Sequence, residues 1–208
     1  MIRVPITPVI RPTSSFEVAN LDVIGPLSPK SGRGHNYILC LIDVCTRWVE
    51  ACPLKTLTAK EPCDALLIIF NRIGLPRVII SDNATNMVSG LTTELYKRLG
   101  MELRRSTPFH AEGNSLVERW NQNLKHMLHH IVNSDKPRDW GRKLSYLLWA
   151  YRDLPNATTS LTPYQLVYGK VGRGPLSVLK DTWSDDRDTL PHESIPYQEY
   201  FRTLRQDF

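Results

Sequence analysis

Apolar and polar positions divide the first part of the chain into short runs of strand length. The run from Glu17 to Ile24 predicts a strand, and Gly25-Pro26 ends it. Ten residues of turn chemistry follow, and then YILCLIDV (37–44) and RWVEACPL (47–54) predict two more strands. The short connection between these two favours antiparallel pairing, so the pattern predicts a three-stranded meander.

The next segment changes to the 3.6-residue period of a helix. Its apolar positions recur at helical spacing, and Gly74 and Pro76 end the periodicity. Thr58 with Glu61 three residues later has the pattern of a capping box at the start of the helix. We therefore predict a helix from Thr58 whose inner face contains Cys63, Leu66, Leu67, Phe70 and Ile73.

A strand, a helix and a strand follow in alternation. Arg77 to Ser81 is a short apolar run, Leu91 to Leu99 has a helical pattern ended by Gly100, and Glu102 to Ser106 predicts another strand. Alternation of this kind is typical of parallel strands joined by a crossover helix. The sheet is therefore predicted to be mixed, with three antiparallel strands followed by two parallel ones.

The second half of the chain is predicted to be mainly helical. A long amphipathic helix follows the loop 107–114, and Pro137 to Arg152 and Thr162 to Tyr168 predict two more helices. The apolar stripe of the long helix contains Leu116, Trp120, Leu124, Met127 and Ile131, and its polar stripe contains Glu118, Gln122, Lys125 and His129. Glu118 thus shares a polar face with a lysine two turns away.

Composition limits the class of protein. A chain of 208 residues with 41% hydrophobic and 23% charged residues is typical of one globular domain with tails. Its longest apolar runs have six residues, far fewer than the roughly 18 that a membrane helix needs. The proline-rich residues 1–15 predict a linker and not a secretory signal, and the four cysteines have no C-x-x-C pairing. We expect an intracellular protein with reduced thiols and no membrane partner.

Charge is unevenly distributed along the chain. From Lys97 to Lys143 there are ten Lys/Arg and five Asp/Glu, whereas Asp181 to Phe208 has three and seven. A basic middle favours a polyanionic partner, although a solvated basic face is the commoner cause of such a bias. Candidates for phosphate contact are Arg104, Arg105, Lys125, Arg138, Arg142 and Lys143.

Three acids are placed where they could share a site. Asp22 lies within a strand, Asp82 follows the apolar run of another strand, and Glu118 lies near the start of the long helix, with thirty-five residues between the last two. Oxygen ligands of this kind suit Mg²⁺ or Mn²⁺, and a pair of such ions supports phosphoryl transfer. Each acid also has a structural alternative: a buried acid with partners for Asp22, a turn for Asp82, and a capping box with Ser115 for Glu118.

The triad Asp22, Asp82 and Glu118 resembles the D,D-35-E motif of retroviral and retrotransposon integrases. The resemblance extends from residue 16 to about 185 and includes FEVANLDVIGP, GLPRVIISDN, LVERWN, LLWAYRD and TPYQLVYG, which look like the integrase of a metazoan Gypsy-type LTR retrotransposon. It implies an α/β fold with a ribonuclease-H-like core, in which a five-stranded mixed sheet carries helices on both faces. The core would cover residues 16–170, and 171–208 would form a C-terminal extension with a truncated helix.

The resemblance also implies an activity. The family trims the 3′ ends of element DNA and joins them to target DNA by in-line phosphoryl transfer, with two Mg²⁺ or Mn²⁺ ions held by the three acids. Double-stranded DNA would be the partner, in the nucleus, and the protein would act as a homodimer or a higher assembly. The implied DNA contacts are Asn83, Asn114, Gln122 and Lys125.

The loop before Glu118 departs from the family pattern. The chain reads PFHAEGNSLVE where roughly PYHPQSNGLVE is usual, so Phe109, Ala111 and Ser115 replace tyrosine, proline and glycine. Loss of that glycine would stiffen the loop. This departure keeps open a second interpretation, a domesticated or decayed integrase-derived module that binds DNA or assembles without catalysis. A ribonuclease H is a third interpretation, which the thirty-five-residue spacing disfavours.

Other candidate residues have simpler interpretations. Asp43 matches the place of a fourth acid in ribonuclease H, but we favour a structural role for it. His126, His129 and His130 have a spacing that could bind zinc, but without a carboxylate nearby they predict histidines on a helix surface. The family's N-terminal zinc module and C-terminal barrel or chromodomain have no match here, so the chain is expected to be a core with flanks. The helix 137–152 has an apolar surface larger than one core contact needs, and we expect part of it to bury a second copy; its residues are Trp140, Leu144, Leu147, Leu148 and Tyr151.

Overall fold

The computed structural model of the protein describes residues 12–81, 90–105, 120–129, 136–157, 159–174 and 178. The chain divides into two compact units, Met1–Leu148 and Trp149–Phe208. Most of the predicted linker 1–15 and the predicted C-terminal helix lie outside the described residues.

A five-stranded sheet forms the centre of the first unit, and its strand order is β3-β2-β1-β4-β5. β1 pairs antiparallel with β2 and parallel with β4, while β2 pairs antiparallel with β3 and β4 pairs parallel with β5. The prediction of three antiparallel strands followed by two parallel ones is confirmed. The strands are β1 (Val18–Ile24), β2 (Tyr37–Asp43), β3 (Val49–Leu54), β4 (Val78–Ser81) and β5 (Glu102–Arg105).

The two edges of the described sheet have different chemistry. At one edge, β3 contains Pro53, which is in register with Ile38 of β2. At the other edge, β5 reads ELRR, and the Arg104 guanidinium binds the Glu102 carboxylate through two hydrogen bonds of 2.8 and 3.0 Å. Proline and charged residues are both common where a strand has a neighbour on one side only.

Two helices cover one face of the sheet. Helix α1 (Lys60–Ile73) packs on β3 and on helix α2 (Gly90–Arg98), which packs on β5. The predicted capping box of α1 is wrong, because the Glu61 carboxylate accepts hydrogen bonds from the backbone N–H groups of Lys55 and Thr56 (2.6 and 2.8 Å). The core under these helices includes Leu21, Leu39, Leu41, Leu54, Leu66, Ile69, Phe70, Ile79 and Tyr96.

The opposite face of the sheet meets a third helix, α3, whose described part comprises residues 120–129. Trp120, Leu124 and Leu128 are buried, and Trp120 lies beside Cys40 of β2. The predicted stripe is thus shifted, because Leu128 and Asn121 are buried while Met127 is half-buried. Helices therefore lie on both faces of the sheet, as predicted.

The loop between β1 and β2 packs against the start of helix α4 (Trp140–Arg152), which follows a 3₁₀ turn at Pro137–Asp139. The Trp140 indole donates a hydrogen bond of 3.0 Å to the carbonyl oxygen of Pro29. Of the five apolar residues predicted on this helix, Trp140, Leu144 and Leu148 are buried within the chain, and Leu147 and Tyr151 are half-buried. The large hydrophobic residues exposed on this helix are Tyr146 and Trp149.

The second unit contains the short helix α5 (Pro163–Tyr168), which begins with a complete capping box. Gln165 N–H donates to the Thr162 hydroxyl, and the Gln165 side chain accepts from Thr162 N–H, each at 3.0 Å.

Among the helices in the described ranges, none has the length and apolar content needed to cross a bilayer.

Candidate active site at the carboxyl end of β1

Asp22 lies in β1, two residues before the strand ends, on the face of the sheet that meets α3. It is in register with Cys40, and residues directly opposite on paired strands point to the same face. Neighbouring Ala19 and Leu21 belong to the core under α1 and α2, so the alternation of the strand places Asp22 on the other side. The side chain is half-buried.

The Asp22 carboxylate accepts hydrogen bonds from its own strand and from α3. The backbone N–H of Val23 donates to Oδ1 at 2.7 Å, and the Nδ2 amide of Asn121 donates to Oδ2. Because burial of a carboxylate is costly unless donors replace the lost water, these bonds offset part of that cost. The Asn121 contact also fixes α3 against the carboxyl end of β1.

Asn121 was missed by sequence reasoning. It is only 5% exposed, and its Oδ1 is buried with no hydrogen-bond partner among the described residues. A buried amide oxygen beside a carboxylate is a second oxygen donor at the same place. A polar residue adjoining the apolar stripe of the helix was the one signal that could have revealed it.

The other two predicted acids lie just outside the described residues. β4 ends at Ser81, which is in register with Leu21 of β1. Asp22 follows Leu21 in the sequence, and Asp82 follows Ser81. Glu118 precedes the first described residue of α3 by two positions. Asn83 and Asn114, predicted to contact DNA, also lie outside the described residues.

Gln122 and Lys125, the other two predicted DNA contacts, are exposed on α3. Lys125 is one helical turn beyond Asn121, and residues four apart lie on the same side of a helix. The predicted polar stripe is therefore confirmed for its described members Gln122, Lys125 and His129, which are all exposed.

The cysteines near the site are unsuited to chemistry. Burial raises the pKa of the Cys40 thiol, and the nearby Asp22 charge raises it further. A thiol with a raised pKa stays protonated at neutral pH and is a poor nucleophile and a poor metal ligand. All four cysteines of the protein are free, as predicted from their spacing.

Asp43 has the structural role that we favoured. It is fully buried and accepts hydrogen bonds from Phe16 N–H (3.1 Å), Thr46 N–H (2.8 Å) and the Thr46 hydroxyl (2.6 Å). Asp43 is in register with Ala19, three positions along β1 from Asp22 and toward the opposite end of that strand. It therefore fixes the turn after β2 and is not part of the site around Asp22.

The oxygen donors around Asp22 decide which metal ions this place could hold. Within the described ranges there is no group of three or more His, Cys, Asp or Glu side chains that could hold a metal ion, and His126 and His129 are exposed on α3. The described donors at this place are the Asp22 carboxylate and the buried Asn121 Oδ1. Oxygen donors of this kind fit Mg²⁺ or Mn²⁺ better than zinc or copper.

Comparison with known proteins identifies similar sequences and folds. Residues 12–111 match the integrase core domain family. The chain is 36% identical over 152 residues to the Pol polyprotein of Feline endogenous virus ECE1, which covers 73% of this chain and 14% of that protein. It is also 36% identical over 152 residues to the Gag-Pol polyprotein of Baboon endogenous virus (strain M7), covering 73% of this chain and 9% of that protein. The chain thus spans a small part of these relatives.

Two solved structures are similar in fold. The HTLV-2 integrase catalytic core domain in complex with magnesium, in its trimeric form, has a TM-score of 0.60 at 19% identity, covering 73% of this chain and 95% of that one. The simian T-cell lymphotropic virus intasome in complex with PP2A regulatory subunit B56 gamma has a TM-score of 0.68 at 21% identity, covering 93% and 65%. The five-stranded mixed sheet is thus the ribonuclease-H-like fold.

Proposed function

We propose that this protein is an integrase-type polynucleotidyl transferase, because residues 12–111 match the integrase core domain family and the chain is 36% identical to parts of the Pol and Gag-Pol polyproteins of two endogenous viruses. Its substrates are the 3′ ends of element DNA, which it trims and then joins to target DNA. The observation that carries the proposal is the contact between Asn121 and Asp22, which brings α3 to the carboxyl end of β1.

The proposed catalytic group consists of Asp22, Asp82 and Glu118. Asp82 is joined to Ser81, which pairs beside Asp22, and consecutive Cα atoms are about 3.8 Å apart. Glu118 is three positions before Asn121, the spacing of side chains that share one side of a helix if α3 extends back to it. Three acids from two parallel strands and one helix would then meet at the carboxyl ends of those strands, where ligands commonly bind in open α/β sheets.

The site suits divalent cations. The Asp22 carboxylate and the orphaned Asn121 Oδ1 offer oxygen to a hard cation, and we propose that Asp22, Asp82 and Glu118 hold two Mg²⁺ or Mn²⁺ ions. When bound, such ions stabilise charge on the attacking and leaving oxygens of a phosphodiester. Asn121 orients the Asp22 carboxylate, and the raised pKa of Cys40 keeps a competing thiolate away.

The reaction needs no covalent protein intermediate. Water attacks in the trimming step and the new 3′ hydroxyl attacks in the joining step, so the protein's task is to position DNA and to stabilise charge. Lys125, exposed one turn beyond Asn121, is proposed to bind a phosphate, with Gln122, Asn83 and Asn114 as further DNA contacts. A Gypsy-type element remains our proposal for its origin, with action in the nucleus.

We further propose that the protein assembles. Joining two DNA ends requires at least two active sites, and α1 and α4 expose Ile68 (49%) and Tyr146 (67%). Exposed apolar side chains of this size often mark contact surfaces when they cluster. Sedimentation at micromolar concentration should show a dimer or a larger species, and a monomer at every concentration would contradict this assembly.

A second candidate function is DNA binding without catalysis. Phe109, Ala111 and Ser115, in the loop before Glu118, favour it because they depart from the usual pattern of the family that the sequence resembles. The two functions differ in one experiment, which incubates the protein with duplexes carrying the element's terminal sequences, a plasmid target and Mg²⁺ or Mn²⁺. Trimmed and joined products that disappear with Asp22→Asn support the transferase, and DNA binding with no product in either metal supports the second function.

A further inference from the structure

A pocket separate from Asp22 lies between the β1–β2 loop and the start of α4. Its volume is about 220 Å³. This is smaller than the roughly 300–1,000 Å³ of sites that take drug-sized molecules, so the pocket suits a compact chemical group. Its described lining residues are Ser31, Gly32, Arg33, His35, Arg138, Asp139, Gly141 and Arg142.

The two walls of the pocket are fixed to each other by backbone contacts. Gly32 N–H donates to the carbonyl oxygen of Arg138 at 2.8 Å, beside the bond from Trp140 to Pro29. Gly141 allows the walls to approach closely, since a Cβ there would lie 3.1 Å from the Ser31 Cβ and 3.3 Å from His35 Nδ1. The backbone contacts therefore fix the two walls of the pocket at a short distance from each other.

The described lining carries an excess of positive charge. Arg33 comes from the loop, while Arg138 and Arg142 come from the opposite wall, and Asp139 is the one acid among the lining residues. All three guanidinium groups are on exposed residues, so they can reorient around an incoming group. Arginine presents a planar fork of donors that matches the oxygens of phosphate.

The pKa of His35 is lowered by its surroundings in the pocket. Burial lowers the pKa of its imidazole, Lys55 and Arg33 lower it further, and Glu61 acts in the opposite direction. The Ser31 hydroxyl accepts from the N–H groups of Arg33 (3.3 Å) and His35 (3.0 Å) and lies 2.9 Å from His35 Nδ1. With its oxygen accepting twice, the hydroxyl donates to Nδ1, which leaves the proton of the neutral ring on Nε2.

We propose that this pocket is a binding site for a phosphate group. Arginines from both walls supply the charge-assisted donors, and the neutral His35 ring supplies one more N–H. Two sources carry the group: a free phosphate or phosphomonoester, and the backbone of duplex DNA. The DNA source rests on the proposed function, because the pocket follows β1 at the same end of the strand as Asp22, whereas the free source does not.

The first arm of the test uses inorganic phosphate and the intact chain. The imidazole signal of His35, assigned by its loss in His35→Gln, is followed by NMR through a pH titration with and without phosphate. A bound anion favours the imidazolium form, so phosphate should raise the pKa of His35 in the wild-type protein. Arg138→Gln combined with Arg142→Gln should weaken phosphate binding about tenfold or more.

Matched variants control for charge and for folding. Arg77→Gln combined with Lys97→Gln also removes two exposed positive charges, but at the opposite end of the parallel strands, and should leave the phosphate response unchanged. Arg33→Gln changes the other wall of the pocket and should weaken phosphate binding even when Arg138 and Arg142 are intact. Urea unfolding of each variant identifies any that fails to fold.

The second arm measures binding of duplex DNA as a function of salt. If the DNA backbone supplies the phosphate, the Arg138/Arg142 variant should lower the salt slope by about 0.9, the value for one phosphate contact. The control pair should leave the response of His35 to phosphate unchanged. A phosphate response with unchanged DNA binding assigns the site to a free phosphate.

The outcome that overturns the inference is a His35 pKa that does not respond to phosphate, together with DNA binding that does not depend on the pocket arginines. Asp22→Asn separates this result from the proposed function, because that variant should lose joining and keep both pocket responses. Wild-type protein that joins no DNA but shows the phosphate response would refute the transferase and leave the pocket assignment standing.

Discussion

Replacing Asn121 by alanine removes the amide that donates to the Asp22 carboxylate. The bond from Val23 N–H remains, so the Asp22 carboxylate is still held from its own strand but loses its donor on α3. We expect Asn121→Ala to leave the fold in place and to weaken metal-dependent DNA cutting and joining.

The magnitude follows from the contact. A hydrogen bond to a charged group contributes roughly 1.5–3 kcal/mol, and each 1.36 kcal/mol is a factor of ten in rate or affinity. Activity and Mn²⁺ affinity should therefore fall between about tenfold and about a hundredfold, which is also the range found when a residue that orients a metal ligand is removed. The free energy of unfolding should change less, because the variant also removes the buried Asn121 Oδ1 that has no partner among the described residues.

The assay combines two measurements. Mn²⁺ binding is followed by electron paramagnetic resonance, which needs no DNA, and cutting of duplex DNA is measured over a range of Mg²⁺ concentrations. If Asn121 acts by positioning a metal ligand, added Mg²⁺ should restore much of the lost activity. Asn123→Ala is the matched control, since Asn123 is exposed on the same helix, two positions away.

Two results would refute this reasoning. Equal Mn²⁺ affinity and equal activity in Asn121→Ala and the wild type would show that the contact has no part in the site. A loss of activity that Mg²⁺ does not reduce, accompanied by a large fall in the free energy of unfolding, would show that Asn121 acts through packing alone.

Three further predictions concern single acids and one lysine. Asp22→Asn, Asp82→Asn and Glu118→Gln should each abolish DNA cutting and joining in Mg²⁺ with thermal unfolding still cooperative, and wild-type joining by any of them would contradict the triad. Burial raises the pKa of Asp43 above its ordinary value of 3.8, so the wild-type free energy of unfolding, relative to Asp43→Asn, should fall as pH rises from about 4 through the folded pKa. Urea unfolding at several pH values measures this difference, and a relative rise would count against it. Lys125→Ala should lower the salt slope of duplex binding by about 0.9, and a titration with unchanged affinity and slope would exclude a phosphate contact.

The sheet could be predicted from the sequence because its signals are local. The apolar runs that end at Ile24 and Ser81 predicted β1 and β4 to within one residue, and the alternation with helices predicted the parallel part. The helix predicted from Thr162 to Tyr168 is likewise present as α5, and Thr162 and Gln165 cap it within one helical turn. Each of these signals involves residues only a few positions apart, so the local sequence is enough to determine the structure there.

The details of the site could not be predicted, since they depend on distant partners. Asn121 is buried because it meets Asp22, ninety-nine positions earlier in the chain. The sequence did not distinguish which apolar residues of α4 are core, and Trp140 is buried because the β1–β2 loop covers it and accepts its N–H at Pro29. Glu61 has the spacing of a capping box and instead binds backbone N–H groups in the preceding loop, which the spacing alone does not distinguish.

The two edges of the sheet have a consequence for how copies of the protein can associate. Strand addition requires a row of free N–H and C=O groups on an outer strand, and Pro53 removes a donor from β3. On β5, an added strand would have to place its side chains against the charged Arg104 and Glu102, which opposes pairing. Both edges thus discourage aggregation through continuous sheets, so we expect the proposed assembly to use the helices, where α1 and α4 expose apolar side chains.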